Sequence, residues 1–95
     1  NAIKLDEATQ QGKVVFAPTA YAVLHVVPED GDEYNKYIVI AATGEKFVTG
    51  SQSFWNAFKG IWDDMAGESE PYEVEVYRVD SKNYKGKQFL SCSIL

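Results

Sequence analysis

"SQSFWNAFKGIWDDMAG", residues 51–67, is the stretch that decides the fold. Phe54, Phe58, Ile61, Trp62 and Met65 recur at i, i+4, i+7, i+8 and i+11. That spacing puts all five on one stripe of an α-helix. Ser51 or Ser53 stands where an N-cap oxygen accepts from the orphan N–H groups of a first turn. Gly67 stands where helices end in left-handed backbone. Gly60 costs about 1 kcal/mol relative to Ala inside a helix, and a close crossing of the helix over a strand would account for it. Trp55 falls on the edge of the stripe, with part of its ring expected to reach solvent.

The segments on both sides of this helix read as strands. Upstream, "KVVFAPTAYAVLHVV" (13–27) is rich in β-branched and aromatic residues, which favours strand. Pro18 cannot donate in a central ladder, so a bulge or break is expected at Ala17–Pro18. "PEDGDE" (28–33) has four acids, a Pro and a Gly and nothing to bury, and reads as a turn. "YNKYIVIAA" (34–42) is a second strand. "TGE" (43–45) is a turn around Gly44, and "KFVTG" (46–50) is a short strand paired back on the second. Residues 3–12 read as a helical turn or an extended lead-in.

Downstream, Tyr72, Val74 and Val76 alternate with Glu73, Glu75 and Tyr77, the pattern of a strand with one buried face. "DSKNYKGK" (80–87) is a loop. "QFLSCSIL" (88–95) closes the chain, with Leu90, Cys92 and Ile94 on one face and Phe89, Ser91 and Ser93 on the other. The fold class is therefore mainly β with one helix (α+β), in the order strand, strand, strand, helix, strand, strand. A five-stranded OB-like barrel with its helix between strands 3 and 4 has this order. A β-grasp-like ββαββ arrangement is the rival if residues 36–49 form one long strand.

The 95 residues fit one domain, 1–95. Asn1 and Ala2, with no Met before them, read as the remnant of a cleaved tag. No run approaches the roughly 20 apolar residues of a membrane helix, and no signal-peptide pattern opens the chain. The single cysteine, Cys92, permits no internal disulfide, and a reducing, cytoplasmic setting is expected. The net charge is −5, unevenly spread. Residues 1–75 carry five basic and thirteen acidic side chains, and residues 76–95 carry four basic and one acidic. Such a chain does not coat nucleic acid over its whole surface, but screening leaves room for a local basic face.

Catalytic chemistry has little to stand on, and no enzyme is expected. His25 lies in an apolar strand and reads as a strand histidine, either partnered or solvated. Cys92 lacks a neighbouring base to lower its pKa and reads as a small core residue. One His and one Cys cannot make the usual zinc site of Cys and His ligands. Neither a phosphate loop nor a nucleophile elbow is present. The acids of residues 29–33 lack calcium-loop spacing. No metal and no cofactor is expected.

"YRVDSKNYKGK" (77–87) carries the functional reading. Arg78, Lys82, Lys85 and Lys87 are gathered beside Tyr77 and Tyr84 at the tip and shoulders of the last hairpin. Lysines on a loop can follow a phosphate backbone, and tyrosines can stack on unpaired bases. In an OB-fold the loop between the last two strands flanks the binding face. A solvated turn whose lysines discourage edge pairing is the plainer account. Tyr34, Lys36, Tyr37, Lys46 and Phe47 would extend the surface if they point outward, whereas Tyr37 and Phe47 can equally be core.

"KFVTGSQSFWNAFKGIW" followed by "YEVEVYRVDSKNYKGKQFLSCSIL" loosely resembles small OB-fold single-stranded DNA-binding proteins of phages and mobile elements. The likeness covers roughly the C-terminal half of the chain. It implies an OB-fold and binding of single-stranded nucleic acid through aromatics and lysines. The chain departs from the type in its acidity outside the hairpin and in ending at "SCSIL" without an acidic tail. A protein–protein interaction module or homo-oligomer is the second reading, with Trp55 as its candidate interface residue. Neither reading involves a membrane.

Overall fold

In the computed structural model, residues 2–95 are described. The reading of residues 1 and 2 as a tag remnant lies at Asn1 outside them. The lead-in is both of the forms expected: β1 (Ile3–Lys4) runs into a single helical turn, α1 (Leu5–Ala8). The long apolar segment then divides where Pro18 predicts. β2 (Val14–Phe16) and β3 (Pro18–Val26) are separated at Ala17, with a register shift between Pro18 and Ala20. β4 (Tyr34–Ala41) and β5 (Lys46–Thr49) follow, then α2 (Gln52–Asp64), β6 (Val74–Asp80) and β7 (Gln88–Ile94).

The strands form two sheets, ordered β1-β5-β4-β3 and β2-β6-β7. The chain crosses from one sheet to the other at the Ala17 break. No closed barrel forms among the described residues, which corrects the five-stranded barrel expected from element order. The reason lies at the edges. Closure would need β5 to meet β7, but the outer edge of β5 is taken by β1 in parallel, Ile3 opposite Phe47 and Lys4 opposite Val48. The edge of β7 is met by α2, where the Ser53 hydroxyl donates to the Leu90 carbonyl at 2.7 Å. The β-grasp rival fails on its own condition. β4 and β5 are separate strands, joined by the expected turn, in which Gly44 takes φ +92°.

The core lies between the sheets. Phe16 of one sheet stacks on Phe47 of the other with ring centroids 4.4 Å apart. Leu5, Val39, Phe54, Phe58, Val74 and Val76 are fully buried around them. Burying each Phe contributes roughly 1.5–3 kcal/mol. Ser51 caps α2, accepting from the Phe54 N–H at 3.2 Å, and Gly67 has the left-handed φ of +91°. On the helix stripe only Phe54 and Phe58 are wholly buried; Ile61, Trp62 and Met65 are half-buried. Gly60 does not mark a close crossing. It is exposed, and beyond its chain neighbours and the backbone of its own helix a Cβ there would meet nothing within 4 Å. No helix among the described residues is long and apolar enough to cross a membrane.

Candidate functional site

Strand alternation gives the three-stranded sheet one covered and one open face. Val74, Val76, Leu90 and Cys92 point into the core. In an antiparallel pair, opposed residues share a face. Val15 and Glu75 with Ser93, Tyr77 with Ser91, and Val79 with Phe89 therefore lie on the other side. The hairpin continues one step further, with the Ser81 N–H bonded to the Lys87 carbonyl at 2.9 Å. Phe89 and Tyr84 are exposed, at 43% and 64%. Tyr77 and Phe89 are diagonal neighbours, a spacing of about 7–8 Å. Tyr77 and Phe89 on this face, with Tyr84 in the loop beyond it, put three aromatic side chains on the hairpin.

Lysines stand over two of these rings. Lys13 Nζ lies 5.7 Å from the Tyr77 ring centre, and Lys87 Nζ lies 5.8 Å from that of Tyr84. Both distances fall within the range of cation–π attraction. Lys13 also pairs with Glu75 at 3.6 Å. Lys82 and Lys85 are exposed on the loop. The Tyr77 hydroxyl is 2.5 Å from the Ser93 hydroxyl, which ties the ring from β6 across to β7 while leaving it half-exposed. Beside it an open groove of about 570 Å³ is lined by Gln10, Gln11, Lys13, Tyr77, Arg78 and Gln88.

Of the six residues marked from sequence, Tyr77, Lys82, Tyr84, Lys85 and Lys87 lie along this face and its tip. Arg78 is turned the other way. Its Nε donates to Thr9 Oγ1 at 3.1 Å and its Nη2 to the Asp6 carbonyl, so it fastens α1 to β6. Phe89 and Lys13 belong to the face and were not among the six. Phe89 was legible from the alternation of β7, because it shares the side opposite Leu90 and Cys92. Lys13 was not, since only the pairing of β2 with β6 brings it to Tyr77.

The second aromatic surface does not form as an outward face. Tyr37 and Phe47 are core residues, 3% and 4% exposed, leaving Tyr34, Lys36 and Lys46 at the surface. Trp55 is half-buried. Its ring stacks on Tyr37 at 4.8 Å and meets Tyr21 edge-on at 5.1 Å.

The titratable singletons sit in unreactive settings. Burial pushes the Cys92 thiol up to about 12, with Glu75 adding to the shift. Its thiolate is scarce at neutral pH. His25 is exposed, its pKa raised first by Asn35 and then by Glu33. Among the described residues no group of three or more His, Cys, Asp or Glu side chains is placed to hold a metal ion. No protein-family model, curated protein or solved structure matches the chain.

Proposed function

We propose that this protein is a non-catalytic, cytoplasmic binding module for single-stranded nucleic acid, and that the open face of the β6–β7 hairpin is its binding surface. The observation that carries the reading is the trio Tyr77, Phe89 and Tyr84 on the last hairpin, the first half-exposed and the other two exposed, with lysines over both tyrosines. Unpaired bases stack on exposed aromatic rings without regard to sequence. Lys13, Lys82, Lys85 and Lys87 neutralise the phosphates that follow. The groove beside Tyr77 offers the amides of Gln10 and Gln11 as hydrogen-bonding groups. In this reading the fold is an OB-like arrangement that stays open. Three features support it: one strand segment serves both sheets, the helix falls between β5 and β6, and the last hairpin pairs with β2. The likeness to small phage single-stranded DNA-binding proteins points the same way.

The test is fluorescence anisotropy of a labelled mixed-sequence single-stranded DNA, titrated with protein at low and moderate salt. Binding that weakens with salt, and is abolished when Lys82, Lys85 and Lys87 are changed together to Ala, is the expected result. No binding at low salt would sink the proposal.

A further inference from the structure

β3 is the longest strand edge without a strand partner among the described residues. It is nine residues long and pairs with β4 alone. The other edges are shorter: β1 has two residues, β2 three and β7 seven, and β7 is met at the Leu90 carbonyl by Ser53 of α2. The backbone directions on β3 follow from its partner. The Ala42 N–H bonds to the Ala17 carbonyl at 2.8 Å, and the Ala41 N–H bonds to the Glu45 carbonyl at 2.9 Å. Even-numbered residues of β4 therefore turn their backbone groups toward β3. With Ile38 opposite Ala22 and Lys36 opposite Leu24, the even-numbered residues of β3 answer them. Tyr21, Val23 and His25 turn their N–H and C=O groups outward, to no strand.

Exposed edges are normally guarded by charge, proline or a bulge. Here Pro18 and the register shift guard only the beginning. From Thr19 to Val27 the sequence "TAYAVLHVV" holds no Asp, Glu, Lys or Arg. Val23, Leu24 and Val27 are 44%, 48% and 65% exposed along it.

We propose that β3 pairs antiparallel with β3 of a second copy about a two-fold axis at Val23, joining two four-stranded sheets into one of eight strands. A reversed copy is the complement this edge fits. Each outward residue offers one donor and one acceptor, so Val23 meets Val23 of the second copy and Tyr21 meets His25 of the second copy. Such an isologous contact closes on itself. Reversal also sends the two acidic loops, each with Glu29, Asp30, Asp32 and Glu33, to opposite ends, whereas parallel pairing would set them side by side. The one charged pair on this edge, His25 with Glu33, is satisfied within the chain, so a charged peptide finds no free counter-charge there among the described residues. In a chain of net charge −5, residues 19–27 bring no Asp or Glu of their own to the seam. The contact uses no residue of the three-stranded sheet and stands whether or not that sheet binds nucleic acid.

The experiment is light scattering after size exclusion at rising concentration, with amide hydrogen exchange followed in parallel. The wild type is expected at twice the 10.6 kDa chain mass, and exchange at Tyr21, Val23 and His25 should slow as concentration rises. Val23→Pro removes an N–H that β4 does not use, and it is expected at half the wild-type mass with unchanged circular dichroism. If that variant loses its fold, Val23→Lys, which sets two like charges at the axis, decides. A wild type of single-chain mass at every concentration, or a folded variant as dimeric as the wild type, would overturn the proposal.

Discussion

Two groups of aromatic rings in this protein, one of five and one of three, have opposite surroundings. Tyr21, Tyr37, Trp55, Phe58 and Trp62 lie between α2 and the four-stranded sheet. There each ring is met by another ring: Tyr37 stacks on Trp55, and Tyr21 meets Trp62 edge-on at 5.2 Å. The Tyr37 hydroxyl donates to Gln52 at 2.6 Å. Tyr77, Tyr84 and Phe89 have no ring partners and face lysines or water. A nearby lysine does not by itself separate the groups, because Lys59 also lies 5.6 Å from Tyr21. Lys59, however, is held by Asp63 at 2.7 Å. Among the described residues Lys87 has no carboxylate within ion-pair distance. Lys13 over Tyr77 is likewise held, by Glu75 at 3.6 Å, so a paired or unpaired lysine does not separate the groups either. What separates them is that the rings between α2 and the four-stranded sheet cover one another, whereas those of the hairpin are left to lysine and water.

The largest expected difference between the groups is in stability. Phe58 is fully buried and touches Tyr21, Phe54, Trp55 and Trp62. Phe58→Ala is expected to cost about 3–5 kcal/mol, read as a lowered urea midpoint. Phe89→Ala, on the open face, is expected within about 0.5 kcal/mol of wild type. Comparable losses from the two would mean that the hairpin face is packed rather than open.

Binding should reverse that order. Tyr84→Ala and Phe89→Ala are each expected to weaken single-stranded DNA binding by roughly 1–3 kcal/mol, the worth of one stacked base, in an anisotropy titration. Trp55→Leu should leave the affinity unchanged, since that ring is spent on Tyr37 and Tyr21. A loss confined to Trp55→Leu would move the functional surface to the helix.

The lysines supply a smaller effect, one that depends on salt. Removing a single lysine–phosphate pairing should flatten the slope of log K against log salt by about 0.7 on a single strand. Lys87→Ala and Lys85→Ala are each expected to show about one such step, and Lys59→Ala none. Equal slopes in all three would show that the loop charges do not track the backbone.

The alternation of β6 and the stripe of α2 were legible because each depends on neighbours within a few residues. So was the break at Ala17–Pro18, which follows from proline's missing donor. The failure of the barrel to close was not legible. It depends on Ile3 and Lys4 pairing with Phe47 and Val48 across more than forty residues of chain, and a two-residue strand leaves no periodic mark. Arg78 misled for a related reason. Its position in a basic cluster is local, but its partners at Thr9 and Asp6 come from the other end of the chain. A packing role is the natural reading of a glycine inside a helix, yet Gly60 has none: beyond its chain neighbours and the backbone of its own helix, nothing stands within 4 Å of where its Cβ would be.

The smallest effect belongs to His25, on the sheet opposite the proposed binding face. Its Nδ1 lies 2.9 Å from Asn35 Oδ1, and its Nε2 lies 3.1 Å from Glu33 Oε2. A neutral imidazole has one N–H and can donate to only one of them; the imidazolium donates to both. The charged form is therefore favoured, with Asn35 the larger cause and Glu33 the second. A folded-state pKa raised above the ordinary 6.5 means that this stabilisation is fully present below pH 6.5 and is lost as pH rises through the folded value. Because the pair is exposed, salt should shrink the Glu33 contribution. An NMR titration of the His25 ring should give a midpoint above 6.5 that falls in Asn35→Ala and in Glu33→Gln, the first by more. A midpoint that ignores both substitutions would mean that the two hydrogen bonds do not persist in solution. The acidic turn would then be unanchored from β3, while the face formed by Tyr77, Phe89 and Tyr84 would keep its affinity.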